Sequence, residues 1–374
     1  MIIAGEISGD MHAAGLVRSV LRRMPDTRFF GIGGDEMRRA GVETLHDVNE
    51  MAVAGFSEAY RRLGFFRRVF NEMLDEAQRR RPDAVILVDY PGFNLRFAAR
   101  VHARGVKTLY YICPQVWAWK RSRIPLMARA VDRLITIFPF EAAHFRGTGL
   151  RVDFAGNPLV DEALRAWETP PPELPWDGKP QVALLPGSRG HEIDRILPPM
   201  WEAASLIERA HPDASFILPT PSPAVEGMLR AKLRTLRVGP SRHAIVTGNT
   251  RQVLRQARAA LVASGTATVE ASLMRCPMVI AYKASTFTYV TASLLIKVKW
   301  LGMVNIVAGR EVCPEMLQSD CTPSGLAAAI EPLLGDTPRR AAMLADLAAV
   351  NTALGSGGAE ERAAGFVVDE LNRA

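Results

Sequence analysis

No stretch of eighteen apolar residues occurs in the chain. The most apolar region, from Val279 to Ile296, is interrupted by Lys283 and several hydroxyl residues, so no segment reads as a membrane span. Cysteine is scarce: Cys113, Cys276, Cys313 and Cys321 lie far apart without paired metal-ligand spacing, which speaks against a disulfide framework and fits a reducing cytoplasm. The opening Met1-Ile2-Ile3-Ala4-Gly5-Glu6 has no basic segment before a long apolar core, so nothing marks the chain for secretion. Its first strand is short, which leaves room for residues upstream of Met1. Neither sign of charge dominates: 46 Lys plus Arg against 39 Asp plus Glu give a net charge of +7, which favours anionic partners without singling one out. His102, His144 and His191 follow no regular metal-ligand spacing. The expectation is a soluble cytoplasmic protein that needs no cofactor and no metal.

What is present is ordinary globular material: 374 residues, 48% apolar and 23% charged, enough for two domains and two cores. Short apolar runs at Met1–Ala4, Arg28–Phe30, Ala84–Val88, Thr108–Ile112 and Arg133–Ile137 alternate with helical patterns. The alternation returns at Gln181–Leu185, Ser215–Leu218, Ala244–Thr247, Ala259–Val262 and Met278–Tyr282. Such alternation predicts an α/β fold of two Rossmann-like lobes, each with a parallel sheet covered on both faces. The boundaries read as residues 1–167 for a first, acceptor- or membrane-facing lobe, 168–180 for a proline-rich crossing, 181–340 for a nucleotide-binding lobe, and 341–374 for terminal helices free to pack back on the first lobe.

In the second half, Val182–Leu185 runs straight into Pro186-Gly187-Ser188-Arg189-Gly190 and a helical segment. A strand, a glycine turn and a helix start put backbone N–H groups where an anion can sit. The turn lacks the Gly-Lys-Ser/Thr ending of a P-loop, while Arg189 beside it can make paired, charge-assisted bonds to phosphate oxygens. A second turn of the same build, Ser264-Gly265-Thr266-Ala267, follows Ala259–Ala263. Either Ser264 or Thr266 serves equally as a helix cap. Two such turns at strand ends converge where open α/β sheets bind ligands, and together they indicate a pyrophosphate. Glu270, about one helical turn beyond Thr266, can accept both hydroxyls of a ribose or simply be a solvated carboxylate. Asn305 either bonds the nucleotide or caps a turn.

In the first half, the loop Gly5-Glu6-Ile7-Ser8-Gly9-Asp10 can present carboxylate, hydroxyl and backbone N–H groups together, with Glu6, Ser8, Gly9 and Asp10 as acceptor-side candidates. Gly31-Ile32-Gly33-Gly34 has its third glycine misplaced for a dinucleotide fingerprint, so no NAD site is expected. Asp89 ends the buried run Val85–Val88. There it is either the cap of the next helix or a partly desolvated general base. Residues 51–73 interleave Phe56, Phe65, Phe66 and Phe70 with Arg61, Arg62, Arg67 and Arg68, a pattern shared by interfacial segments on anionic membranes and by helices with one core face. Phe65, Phe66, Arg67 and Arg68 are the membrane-contact candidates. Trp117 and Trp119, in Pro114–Lys120, either border an acceptor or pack internally.

Taken in order, the motifs Gly5-Glu6-x-Ser8-Gly9-Asp10, Asp89-x-Pro91-x-Phe93-Asn94, Pro114-Gln115-Val116-Trp117-Ala118-Trp119, Phe138-Pro139-Phe140-Glu141, Gly156-Asn157-Pro158-Leu159, Leu185-Pro186-Gly187-Ser188-Arg189, Ser264-Gly265-Thr266-Ala267 through Glu270, Asn305 and Gly309-Arg310-Glu311 resemble the lipid-A-disaccharide synthase family over almost the full length. The resemblance implies an inverting glycosyltransferase of the GT-B fold, its two sheets facing an interlobe cleft. It implies transfer of 2,3-diacylglucosamine from UDP to 2,3-diacylglucosamine 1-phosphate, giving the β-1,6-linked lipid A disaccharide 1-phosphate. Its implied roles are Asp89 as base toward the acceptor 6-hydroxyl, Arg189 on the diphosphate, Glu270 on ribose, Asn305 near the nucleotide and Asn94 on the acceptor side. It further implies work at an anionic membrane surface, on the inner face of the inner membrane, with no nucleic-acid partner and with a homodimer left open. The chain departs from the family's common residues at Gly92, Cys113 and Val304.

Overall fold

The computed structural model describes residues 1–51, 63–285 and 298–373. The chain divides into two compact units, Met1–Pro158 with Ser356–Ala374, and Leu159–Gly355.

The first unit holds β1 (Ile2–Ala4), β2 (Phe30–Gly33), β3 (Glu43–Asp47), β4 (Ala84–Val88), β5 (Lys107–Tyr111), β6 (Arg133–Thr136) and β7 (Arg151–Phe154), in the order β3-β2-β1-β4-β5-β6-β7. Every pairing is parallel. β1 and β4 are buried throughout, as strands covered on both faces must be. One face packs Ile3, Val85, Leu87, Phe93 and Phe97 together, the other Ile2, Leu16, Val17, Ile86 and Val88. Each fully buried aliphatic side chain contributes about 1.5–3 kcal/mol. The glycines at 31–34 serve the sheet: a Cβ on Gly31 (φ +153°) would overlap the Ile2 carbonyl.

The second unit repeats the plan with β8 (Gln181–Leu185), β9 (Ser215–Thr220), β10 (His243–Thr247), β11 (Ala259–Ala263), β12 (Met278–Tyr282) and β13 (Glu315–Leu317), ordered β10-β9-β8-β11-β12-β13 and again parallel. The proline-rich stretch 168–180 lies inside this unit and is not the crossing. Arg255 donates to the Thr169 carbonyl at 2.9 Å, Gln256 to the Pro172 carbonyl at 2.9 Å, and Ser215 Oγ accepts from the Asp177 N–H at 2.9 Å.

The C-terminal pattern resolves into two helices, Pro338–Leu354 and Ala359–Leu371, separated at Gly355, Gly357 and Gly358, all with positive φ. The last helix packs against Ile7–Arg23 in the first unit, where a Cβ on Gly15 would overlap the Glu360 carboxylate. Arg362 donates to the Ala155 carbonyl and Arg133 to the Phe366 carbonyl, both at 2.8 Å. Among the described residues no helix is long and apolar enough to cross a membrane.

Candidate active site

Each sheet reverses its winding between two neighbouring strands, β1 and β4 in the first unit, β8 and β11 in the second. Loops leaving the carboxyl ends of such a strand pair diverge and open a crevice. Four of the sequence motifs sit at those loops.

In the first unit, Asp89 and Tyr90 follow β4 in the left-handed region, with φ of +44° and +46°. Two consecutive non-glycine residues there cost of order 1–3 kcal/mol each, and the surroundings hold them. The Asp89 N–H donates to the Tyr111 carbonyl at 3.0 Å, and the Asp89 carbonyl accepts from Tyr110 Oη at 2.5 Å and Asn94 Nδ2 at 2.8 Å. The Tyr90 ring lies where a Cβ on Gly5 would be, so only glycine lets the β1 and β4 loops approach. The Asp89 carboxyl is pushed up to about 6, first by burial and then by repulsion from Glu6, against a backbone hydrogen bond at Tyr90 that lowers it. This is a half-buried carboxylate able to take a proton near neutral pH.

Glu6 stands exposed at the start of the helix Ile7–Arg23, and Ser8 is exposed beside it. Gly9 lies against the Ala4 side chain. Two acceptor-side expectations are corrected. Asp10 is 4% exposed and accepts from the backbone N–H groups of Gly34, Glu36 and Met37 at 2.6, 3.1 and 3.1 Å. It caps the next helix, Asp35–Arg39, instead of facing a ligand. Asn94 is fully buried, and its amide donates to the carbonyls of Val88 and Asp89; it holds the backbone that carries the Asp89 carboxyl.

Glu141, to which the spacing assigns no chemistry, is 1% exposed. Its Oε1 accepts from Trp117 Nε1 at 3.2 Å, and its Oε2 from the N–H groups of Ile137 and Phe138 at 3.3 and 3.1 Å. Burial is the largest cause pushing its carboxyl up to about 8, opposed by these hydrogen bonds and helped by Asp89. Burial, then Glu141 and Asp89, likewise raise the Cys113 thiol. Asp89, Cys113 and Glu141 thus share one electrostatic neighbourhood, with Trp117 packed edge-on against Phe140 at 5.0 Å. The only hint in the sequence was the Phe-Pro-Phe-Glu run itself.

Phe65 and Phe66 are half-buried against the first unit's core. Arg67 and Arg68 on the same helix are exposed, Arg68 lying 5.9 Å from the Phe65 ring. Phe56, Arg61 and Arg62 lie outside the described residues.

In the second unit the two turns end adjacent strands, since β8 pairs with β11. Gly187 has φ +105°, and a Cβ there would overlap the Glu192 side chain. The Glu192 carboxylate accepts from the N–H groups of Ser188 and Arg189 at 3.1 and 3.3 Å and pairs with the Arg189 guanidinium at 3.0 Å. An anion therefore already sits on this turn, supplied by the helix Gly190–Ala210. The Arg189 side chain is 69% exposed. Gly265 adopts φ +151°, ψ −158°, a region open essentially to glycine alone. Ser264 Oγ donates to the Leu301 carbonyl at 2.9 Å. Thr266 is exposed and Ala267 half-buried at the first turn of the helix Thr266–Leu273.

On that helix Glu270 meets Arg251 at 2.9 Å, and Arg251 also pairs with Glu162. Burial raises the Glu270 carboxyl, Arg251 lowers it and Glu162 raises it. Asn305 is the third correction. It is fully buried, its Nδ2 donating to the Cys313 carbonyl and Glu315 Oε1 at 2.8 Å each, its Oδ1 accepting from the N–H groups of Val312 and Cys313 at 2.8 and 2.9 Å. That uses the whole capacity of the amide, so Asn305 shapes the loop before β13 and has nothing left for a nucleotide.

A family model described as lipid-A-disaccharide synthetase matches residues 1–362. The lipid-A-disaccharide synthase of Geobacter sulfurreducens is 41% identical over 382 residues, covering 100% of this chain and 97% of its own. Among solved structures, the S. aureus MnaA–UDP co-structure aligns with a TM-score of 0.64 at 14% identity, over 99% of this chain and 96% of its own. The calicheamicin glycosyltransferase CalG4 aligns with a TM-score of 0.60 at 17% identity, over 100% and 97%. At such identities the likeness concerns the fold, two doubly wound units of the GT-B kind. With the family model running from Met1 almost to the last helix and a relative matched along the whole length, this chain belongs to the lipid-A-disaccharide synthase family of UDP-sugar glycosyltransferases.

Proposed function

We propose that this chain transfers 2,3-diacylglucosamine from UDP to 2,3-diacylglucosamine 1-phosphate with inversion, and that Asp89 is the general base. The observation that carries the assignment is a half-buried carboxyl at the end of β4 whose pKa is raised to about 6, strong enough as a base and still ionised at neutral pH. In this reading Asp89 takes the proton of the acceptor 6-hydroxyl as that oxygen attacks the anomeric carbon. The bond from that carbon to the diphosphate breaks, and UDP leaves with the electron pair. The turns Gly187-Ser188-Arg189 and Ser264-Gly265-Thr266-Ala267 receive the diphosphate, Arg189 exchanging its Glu192 partner for phosphate oxygens. Glu270, paired with Arg251, accepts the ribose hydroxyls. Glu6 and Ser8 border the acceptor.

Purified protein given both diacylated substrates in detergent should release UDP and form a disaccharide, a product that separates this activity from a UDP-sugar epimerase. Asp89→Asn should lower turnover on the order of 10²–10⁴-fold while calorimetric UDP affinity stays within about twofold. Equal loss of both would reassign Asp89 to a structural role.

The same reading places the enzyme at the inner face of the inner membrane, where acylated substrates reside. Supporting it are the exposed Arg67 and Arg68 and the exposed Leu63 on one helix, a pairing of cations and apolar surface suited to anionic headgroups. Replacing Leu63 by Ser and both arginines by Ala should reduce sedimentation with phosphatidylglycerol vesicles; unchanged sedimentation would refute this placement.

A further inference from the structure

The segment after β5 carries a cluster of cations that no step above uses. Lys120 sits in the left-handed region at φ +55° and starts the short turn Arg121–Arg123, so three cationic side chains leave the backbone within four residues. Trp119, 38% exposed, lies among them, with Lys120 Nζ 4.4 Å and the Arg123 guanidinium carbon 5.6 Å from its ring. Several arginines of this unit are paired, Arg38 with Asp35 and Asp47, Arg80 with Glu43 and Glu76, Arg133 with Asp153, and others stand singly on the surface; what sets this segment apart is three cations grouped around one exposed indole. Among the described residues no carboxylate lies within ion-pair reach of Lys120, Arg121 or Arg123. Their charges act on neighbouring groups instead. Burial and then Arg123 lower Lys120, and burial and then Arg121 lower His144. Like charges held together without a counter-charge form a standing field for an anion.

The place of the cluster narrows what that anion is. β5 is the direct neighbour of β4, so this segment and Asp89 leave the same end of adjacent strands. The Arg123 charge reaches the Tyr110 hydroxyl, and that hydroxyl bonds the Asp89 carbonyl. A ligand presenting a hydroxyl to Asp89 and an anion across a sugar ring would meet both, with the exposed indole of Trp119 against the apolar face of the ring. Lys120 and Arg123 on one indole, with Arg121 on the same turn, bring an ammonium and guanidinium forks suited to the oxygens of a phosphate monoester.

We propose that Trp119, Lys120, Arg121 and Arg123 form a phosphate-monoester subsite beside Asp89, which holds the 1-phosphate of the acceptor and so selects phosphorylated over unphosphorylated acceptors. This rests on the acceptor reading given above. A second source of the same chemistry is the phosphate of an anionic membrane lipid, and the experiment separates the two.

Disaccharide formation is measured in neutral detergent micelles with two acceptors, 2,3-diacylglucosamine 1-phosphate and its 1-O-methyl counterpart, for the wild type, Lys120→Ala/Arg123→Ala, Arg121→Ala and the conservative Arg123→Lys. The wild type should favour the phosphorylated acceptor. The double variant should lose roughly 10–100-fold in kcat/KM for it, chiefly through KM, so that the ratio between the two acceptors collapses toward one. Arg123→Lys should restore part of the ratio. UDP affinity and the thermal midpoint should not move, which separates lost recognition from lost folding. A preserved ratio, or equal losses on both acceptors, overturns the proposal. So does a defect seen only on phosphatidylglycerol vesicles and absent in micelles, which assigns the cluster to bilayer headgroups. A wild type that forms no disaccharide from either acceptor defeats the acceptor reading and this inference with it, an outcome visible before any variant is made.

Discussion

Asp89 is caught between two requirements. Its raised carboxyl pKa means that the fold prefers it protonated, whereas the base role proposed for it requires it ionised. The consequence for stability has a definite sign. A carboxyl raised from 3.8 to about 6 contributes stability that is complete below pH 3.8 and is lost as pH rises through about 6. Asp89→Asn, neutral at every pH, should therefore be more stable than the wild type at pH 8, by about 1–3 kcal/mol in chemical denaturation, while turning over poorly. For the wild type, kcat/KM should climb between pH 5 and 7 with a midpoint near 6 and then level; a midpoint near 4 would mean that another group is the base. The placement of Asp89 at the end of a buried strand was legible in the sequence, because a carboxylate directly after a run as apolar as Val85–Val88 has few places to go. Asn305 and Asp10 were misread for a common reason. Both look like polar loop residues free for a ligand, and only the folded chain brings the backbone N–H groups that occupy them.

The loop Pro114–Trp119 and the segment Phe138–Phe145 are fastened together by Glu141 alone among their side-chain carboxylates, through the indole of Trp117 and two backbone N–H groups. Glu141→Ala would leave three donors, two of them buried, without an acceptor and open a small cavity, so it should cost about 2–4 kcal/mol; Glu141→Gln should cost clearly less. Because burial holds this carboxyl up to about 8, its stabilising contribution is complete below about pH 4.5 and fades as pH rises through 8. The thermal midpoint of the wild type should fall between pH 7 and 9, and Glu141→Gln should flatten that slope. The ten apolar runs seen in the sequence are all strands, within a few residues at their ends. The missed strands, β3, β7 and β13, are edge or near-exposed strands. Glu43–Asp47, Arg151–Phe154 and Glu315–Leu317 contain no fully buried residue, and a strand covered on one side only lacks the continuous apolar signature of a central parallel strand. Element order was readable for the same reason that these were not: burial on both faces writes itself into composition.

The molecule as a whole passes from one unit to the other at Pro158–Leu159 and returns at Gly355–Ser356. The return was only half visible, since residues 341–374 read as terminal helices whose break only the glycines at 355, 357 and 358 mark. The last helix supplies Ala363, Ala364 and Val367, all fully buried, and the carbonyl of Phe366 that partners the buried Arg133. Ending the chain after Gly355 would leave that guanidinium with Asp153 but without the Phe366 carbonyl and the Asp369 and Glu370 carboxylates and expose the face of Ile7–Arg23, a loss of about 3–5 kcal/mol from the charge alone. Limited proteolysis of such a truncation should cut within the first unit while leaving Leu159–Gly355 intact; equal resistance of both would show the last helix to be dispensable. The same arrangement sets an order of assembly during synthesis. The unit made second is continuous and can close as soon as Gly355 clears the ribosome, whereas the unit begun first must wait, incomplete, for the final residues to be translated. The half that carries Asp89 is therefore the last part of the protein to become native, so no partly made chain presents Asp89 in its finished surroundings.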